Sequence, residues 1–184
     1  MEKRIKPISI VLPAFFCALI IAGTFIRIPI PIIPFTLQLS FVTLAGLVLG
    51  KKLGSLSVLA YIILGLIGVP VFTQGGGLAY IFKPSFGYII GFLFGAYVCG
   101  LLIEKNKNKT YWDYFFAGLV SIFIIYFVGV VYFYLISIFY LKTTVTVHTL
   151  LISCFLITFI PDFILNFLVA FVSFRLKNLK RDDI

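Results

Sequence analysis

The stretch Phe86 to Ile103, FGYIIGFLFGAYVCGLLI, passes through eighteen residues without one charge. A helix needs about 20 mainly apolar residues, in a range of roughly 17–25, to cross the hydrocarbon of a bilayer. Gly87, Gly91 and Gly95 recur four apart inside it, a spacing that bares one strip of helix for the close approach of a neighbour. Working outward from this run, comparable apolar stretches lie at about 7–26, 35–50, 53–70, 113–140 and 149–175. With 86–103 they predict an all-α integral membrane bundle of six transmembrane helices, one domain over residues 1–184. The composition agrees: 62% of residues are hydrophobic, 11% are charged and the mean hydropathy is +1.18. Soluble domains are about half apolar and about a quarter charged, so the solvent for this surface is lipid.

The first run follows Lys3, Arg4 and Lys6 and in that respect looks like a secretory leader. It is too long for a typical leader core, however, and no small-x-small cleavage site follows it, so it reads as a span.

Cations orient such a bundle. With the N-terminus in the cytoplasm, twelve of the fifteen Lys and Arg residues fall inside, leaving Arg27, Lys83 and Lys142 outside. An even number of spans with both termini cytoplasmic satisfies this asymmetry. The net charge of +9 is therefore a topology signal that also attracts anionic lipid, and nucleic-acid binding is excluded. The expected location is the cell membrane, multi-pass.

The inner linkers are short and charged, whereas the outer ones are apolar and rich in Pro and Gly. They are Arg27-Ile-Pro-Ile-Pro-Ile-Ile-Pro34 and Pro70-Val-Phe-Thr-Gln-Gly-Gly-Gly-Leu-Ala-Tyr-Ile-Phe-Lys-Pro84. The second and third spans, at 1.5 Å per residue, reach only about 22–26 Å, short of a ~30 Å core. Non-helical backbone at that depth is tolerated where it is buried in protein or lines a cavity. An outward-facing pocket roofed by the two loops follows; ordinary apolar surface loops are the alternative.

Polar residues inside apolar runs mark the candidate chemistry. In Pro34-Phe-Thr-Leu-Gln38, read as the opening of the second span, Thr36 and Gln38 each need a partner, either a ligand or the neighbouring loop. In the last span Thr158, Asp162 and Asn166 are four apart and share a face. Of the six acids (Glu2, Glu104, Asp113, Asp162, Asp182, Asp183) only Asp162 falls well inside a run. An intramembrane carboxylate points to function: it accepts N–H groups of a polar head such as an amide or urea, or it bonds another helix. Lys83 and Arg27 are placed to meet an anionic tail, or else snorkel to water. Ala14, Ala18 and Ala22 form a small-residue face on the first span, for packing within the bundle or for docking another membrane subunit.

Other chemistries find no support. Cys17, Cys99 and Cys154 are isolated in apolar runs and read as packing residues, and a single His148 builds no metal cluster. Gly46-Leu-Val-Leu-Gly50-Lys51-Lys52 lacks the spacing of a phosphate-binding loop. Concentrative uptake would draw on a partner or an ion gradient. No nucleophile–base pair or cofactor site is apparent, and the chain is not expected to be an enzyme.

Four ordered motifs resemble the BioY family, the biotin-specific S components of energy-coupling factor (ECF) transporters. They are Pro34-Phe-Thr-Leu-Gln38, Tyr61-Ile-Ile-Leu-Gly65-Leu-Ile-Gly68-Val-Pro-Val-Phe72, Gly76-Gly77-Leu78 and Pro84-Ser-Phe-Gly-Tyr88. The likeness runs over about residues 10–103. It implies a six-helix S-component fold, capture of biotin from outside, and association with a T component and two ATP-hydrolysing A subunits. It also makes the face of Ala14, Ala18 and Ala22 the docking surface for the T component.

Family members commonly carry Pro-Gly-Asp-x-x-Lys in the last helix. The matching stretch here is Ile160-Pro-Asp162-Phe-Ile-Leu-Asn166, so the acid has a counterpart and the lysine has none. By this resemblance the urea head of biotin lies deep near Asp162 and Asn166, with its sulfur ring against Phe72 and Tyr88. Thr36, Gln38, Gln74, Gly76, Gly77 and Ser85 close around it, and Lys83 is the first candidate to meet the carboxylate. Biotin is then the transported ligand rather than a cofactor. The rival readings are an S component for another vitamin, a stand-alone ion-coupled carrier, and a structural membrane protein without a ligand.

Overall fold

A computed structural model of the chain describes residues 7–28, 35–106, 108–142 and 157–182, with side chains in the last segment described for residues 158–176. Its helices are α1 (Ile8–Phe25), α2 (Gln38–Leu66), α3 (Phe86–Lys105), α4 (Tyr111–Phe139) and α5 (Ile157–Asp182). All five include a window long and apolar enough to cross a membrane. Residues 149–156 of the expected last span lie outside the described residues, as do Pro34, Cys154 and His148.

The second and third expected spans form a single helical element broken at Gly50, whose φ of 81° and ψ of 178° leave the helix. A side chain disfavours that left-handed φ, which glycine adopts freely. The chain turns back on itself there: Gly54 lies against the backbone of Ala45 and Gly46. The two arms rise only about 18 and 24 Å at 1.5 Å per residue. Glu104 at the end of α3 secures the turn. Its Oε1 accepts the Lys51 backbone N–H at 2.9 Å, and its Oε2 pairs with Lys51 Nζ at 3.2 Å.

The opening of the second span differs from the expectation in another way. Phe35–Thr36 is extended and pairs antiparallel with Arg27–Ile28, in the register Arg27 to Thr36 and Ile28 to Phe35. The helix therefore starts at Gln38. Leu37 donates its N–H to the carbonyl of Ile26, so the strand pair occupies backbone groups that a helix starting at 35 would have used.

Packing follows the small residues. Gly87, Gly91 and Gly95 of α3 meet Tyr132, the Ile125 backbone and Ser121 of α4, which assigns that strip to internal packing. The α2 element packs on α1, α3 and α5, and α4 joins α3 to α5. One apolar cluster, which includes Tyr61, Phe72, Tyr80, Phe86 and Tyr126, lies toward the two loops, and a second gathers Leu47, Cys99, Ile103, Tyr114 and Phe115. Cys17 and Cys99 are buried free thiols. On α1, Cys17, Ile20 and Thr24 face inward while Ala14, Ala18 and Ala22 are exposed.

Candidate ligand site

The loop from Ile67 to Ser85 is built on backbone bonds that its glycines permit. Phe72 and Gly75 exchange N–H···O bonds of 2.9 and 3.2 Å, and the Gly77 N–H reaches back to the carbonyl of Gly65 at 2.7 Å. Gly75 and Gly77 hold φ of 107° and 100°, angles an L side chain rarely takes. A short 3-10 turn, Leu78–Phe82, returns the chain to α3.

Beneath this loop lies a cavity with an open mouth. The strand pair contributes Phe35 and Thr36, and α2 contributes Gln38 and Leu39. The loop adds Thr73 and Tyr80, and α3 adds Ser85 at its N-cap with Tyr88, Ile89 and Phe92. The far side is Tyr126 of α4 with Thr158 and Asp162 of α5. Apolar walls with a few placed polar groups suit a small organic ligand.

Its polar groups fall into two sets. Near the loop, the Tyr80 hydroxyl lies 2.9 Å from Thr73 Oγ1 and accepts from Ser85 Oγ at 3.2 Å. Deeper, the Tyr126 hydroxyl donates to Asp162 Oδ2 at 2.6 Å. Asp162 is 4% exposed, and its Oδ1 is buried without a hydrogen-bond partner. A buried polar atom left unpaired costs about 1–3 kcal/mol, and Asp162 stands on the cavity wall with one such atom.

Of the residues expected at the site, the structure brings Thr36, Gln38, Ser85, Tyr88 and Asp162 to the cavity. Asn166 is elsewhere. It lies one turn beyond Asp162, where its amide nitrogen donates to the Phe115 carbonyl at 3.0 Å, so it serves the α4–α5 contact. Phe72 is also displaced from the expected wall. Its ring enters the space left by Gly65 and packs on Tyr61 and Tyr80 at centroid distances of 5.3 and 4.6 Å.

Gln74, Gly76, Gly77 and Lys83 form the roof without lining the cavity. Lys83 Nζ donates to the Gln74 carbonyl at 3.1 Å and stands 4.9 Å from the centre of the Tyr80 ring. Arg27 reaches from the strand pair to the Thr73 carbonyl at 2.6 Å, which ties the two loops together. Tyr80, Thr73 and Tyr126 carry much of the polar framework, yet sequence reasoning missed them. The usable signal for Tyr126 was that a phenol deep in a span must find an acceptor, and Asp162 is the acid available at that depth.

The chain is similar to known proteins. A probable biotin transporter BioY of Lysinibacillus sphaericus is 40% identical over 173 residues, covering 94% of this chain and 86% of the relative. The biotin transporter BioY of Thermotoga maritima is 46% identical over 116 residues, 62% of this chain and 68% of its own. The crystal structure of the S-component for biotin from an ECF-type ABC transporter superposes with a TM-score of 0.81 at 32% identity. That match covers 92% of this chain and 90% of the other. The model of the BioY family matches residues 1–182, and the chain belongs to the BioY family.

Proposed function

We propose that this protein is the substrate-capture subunit for biotin uptake, a multi-pass membrane carrier component and not an enzyme. The observation that carries the reading is Asp162: a carboxylate on the cavity wall, fixed on one oxygen by Tyr126 and unpartnered on the other. The ureido ring of biotin offers N–H donors, which an open carboxylate oxygen accepts in a charge-assisted bond. Tyr88, Phe92 and Ile89 supply the apolar wall for the fused sulfur ring. Thr36, Gln38 and Ser85 add polar contacts, and the tail runs toward the mouth, under the roof of Gln74, Gly76, Gly77 and Lys83.

The bundle is read as the six-helix S-component type, with the arms of α2 on either side of Gly50 counted as two helices. Both termini are cytoplasmic by the distribution of cations. Energy comes from partners: a T component, docked on the exposed face of Ala14, Ala18 and Ala22, and two ATP-hydrolysing A subunits. Small residues four apart suit such helix-to-helix docking.

The test is a thermal-shift series of the detergent-purified protein against a panel of vitamins, followed by calorimetry. Biotin alone raises the melting temperature, and Asp162→Ala loses at least about thirtyfold in affinity while still inserting into the membrane. Stabilisation by a different vitamin, or undiminished binding by Asp162→Ala, overturns the assignment.

A further inference from the structure

We infer that the site selects its ligand through the N–H donors of the head and is indifferent to the charge of the tail, so that biotin whose carboxyl is masked as an amide is an equal ligand. The inference rests on the biotin reading above and specifies the substrate class of that same cavity.

The charge inventory carries it. Among the described residues Asp162 is the acid on the cavity wall, and no Lys or Arg lines it. A carboxylate placed deep would be buried beside an acid with no cation to pair it, which is costly. The deep end is therefore a site for neutral N–H donors.

At the mouth, the cations are already engaged with the roof. Arg27 holds the Thr73 carbonyl at 2.6 Å, and Lys83 holds the Gln74 carbonyl at 3.1 Å with the Tyr80 face beneath it. Lys142, the remaining outer cation, is exposed and off the cavity wall. The stretches 29–34 and 143–156 contain no Lys or Arg, and His148 is the basic residue they hold. Arg27 and Lys83 keep N–H donors beyond those bonds, but a tail carboxylate would meet them only at the mouth, in contact with water. Exposed ion pairs contribute only about 0–1 kcal/mol.

The position usually filled by a lysine adds nothing here. Asn166 occupies it and is turned to the Phe115 carbonyl.

The experiment uses the unaltered protein in detergent and three probes in calorimetry: biotin, its primary amide, and biotin methylated on a ureido nitrogen. The expected result is an amide affinity within about fivefold of biotin, as the small value of an exposed pair requires, and loss of at least about thirtyfold for the methylated urea. An amide weaker than biotin by more than about fivefold, or a methylated urea that still binds, overturns the inference. Failure of biotin itself to bind protein that remains folded overturns the biotin reading and this inference together. That outcome is distinct from biotin binding with the amide rejected.

Discussion

The Tyr126 hydroxyl donates to Asp162 Oδ2 at 2.6 Å, joining α4 to α5 directly beneath the cavity. Both residues are nearly inaccessible, at 2% and 4% exposure. The bond fixes one oxygen of a carboxylate that stands on the cavity wall. Tyr126 is thus a positioning residue, and its removal should be felt in binding through Asp162 alone. Tyr126→Phe is expected to weaken biotin binding about five- to tenfold, the value of one ordinary hydrogen bond. In an Asp162→Asn background the same change should cost about twofold or less, because coupled residues are not additive. Calorimetry on the four proteins checks this; equal losses in both backgrounds would show that Tyr126 acts independently of the acid.

Asn166 shares the face of Asp162 but serves a different purpose. Its amide nitrogen bonds the Phe115 carbonyl, and Gly118 of α4 leaves room for its side-chain oxygen. Asn166→Ala should lower stability by about 1 kcal/mol, a typical interhelical hydrogen bond within a membrane. Biotin affinity should stay within about twofold. Melting curves and titrations of Asn166→Ala beside Asp162→Ala separate the two roles, and a large affinity loss at Asn166 would return it to the site.

The four-residue spacing of Thr158, Asp162 and Asn166 was legible because helical periodicity determines which residues share a face. How deep the cavity extends was not legible, since that depends on where α4 closes against α5, and Asn166 falls past that point. The apolar runs mark the spans well because lipid imposes both length and composition. The reversal at Gly50 falls within a residue or two of the boundary expected between the second and third spans. Thr73 and Tyr80 escaped notice for another reason. Their significance lies in the hydrogen bond between them, which exists only after Gly75 and Gly77 have folded the loop. A tyrosine among ten tyrosines and 22 phenylalanines carries no local sign of such a partner.

Arg27 and Thr73 link the two loops over the cavity through a single guanidinium–carbonyl bond. Arg27 is exposed, so the bond contributes little to global stability but opposes separation of the roof. Arg27→Gln should therefore leave the melting temperature nearly unchanged and speed biotin release about two- to fivefold, as expected for losing roughly 0.5–1 kcal/mol. Dissociation rates measured by displacement of labelled biotin test this. A release rate equal to that of the parent protein would mean the roof opens without parting these residues.

Gly65 and Phe72 form the tightest fit beneath the loop. A methyl group at position 65 would collide with the ring of Phe72, which is 2% exposed and enclosed by Tyr61, Tyr80 and Phe86. Gly65 is helical, so alanine is conformationally acceptable there and the cost is steric. Overpacking of this kind costs about 1–3 kcal/mol, and here it forces out the side chain that anchors the turn at Phe72–Gly75. Gly65→Ala is expected to lower thermal stability and, by shifting Tyr80 and Thr73, to weaken biotin binding as well. Phe72→Leu alone should also destabilise, by loss of ring contacts. Combined with Gly65→Ala it should cost clearly less than the sum of the two, since the smaller side chain admits the added methyl. Melting temperatures of the two single variants and the double variant decide the matter: strict additivity would show that the ring and the glycine are not the pair that shapes the roof.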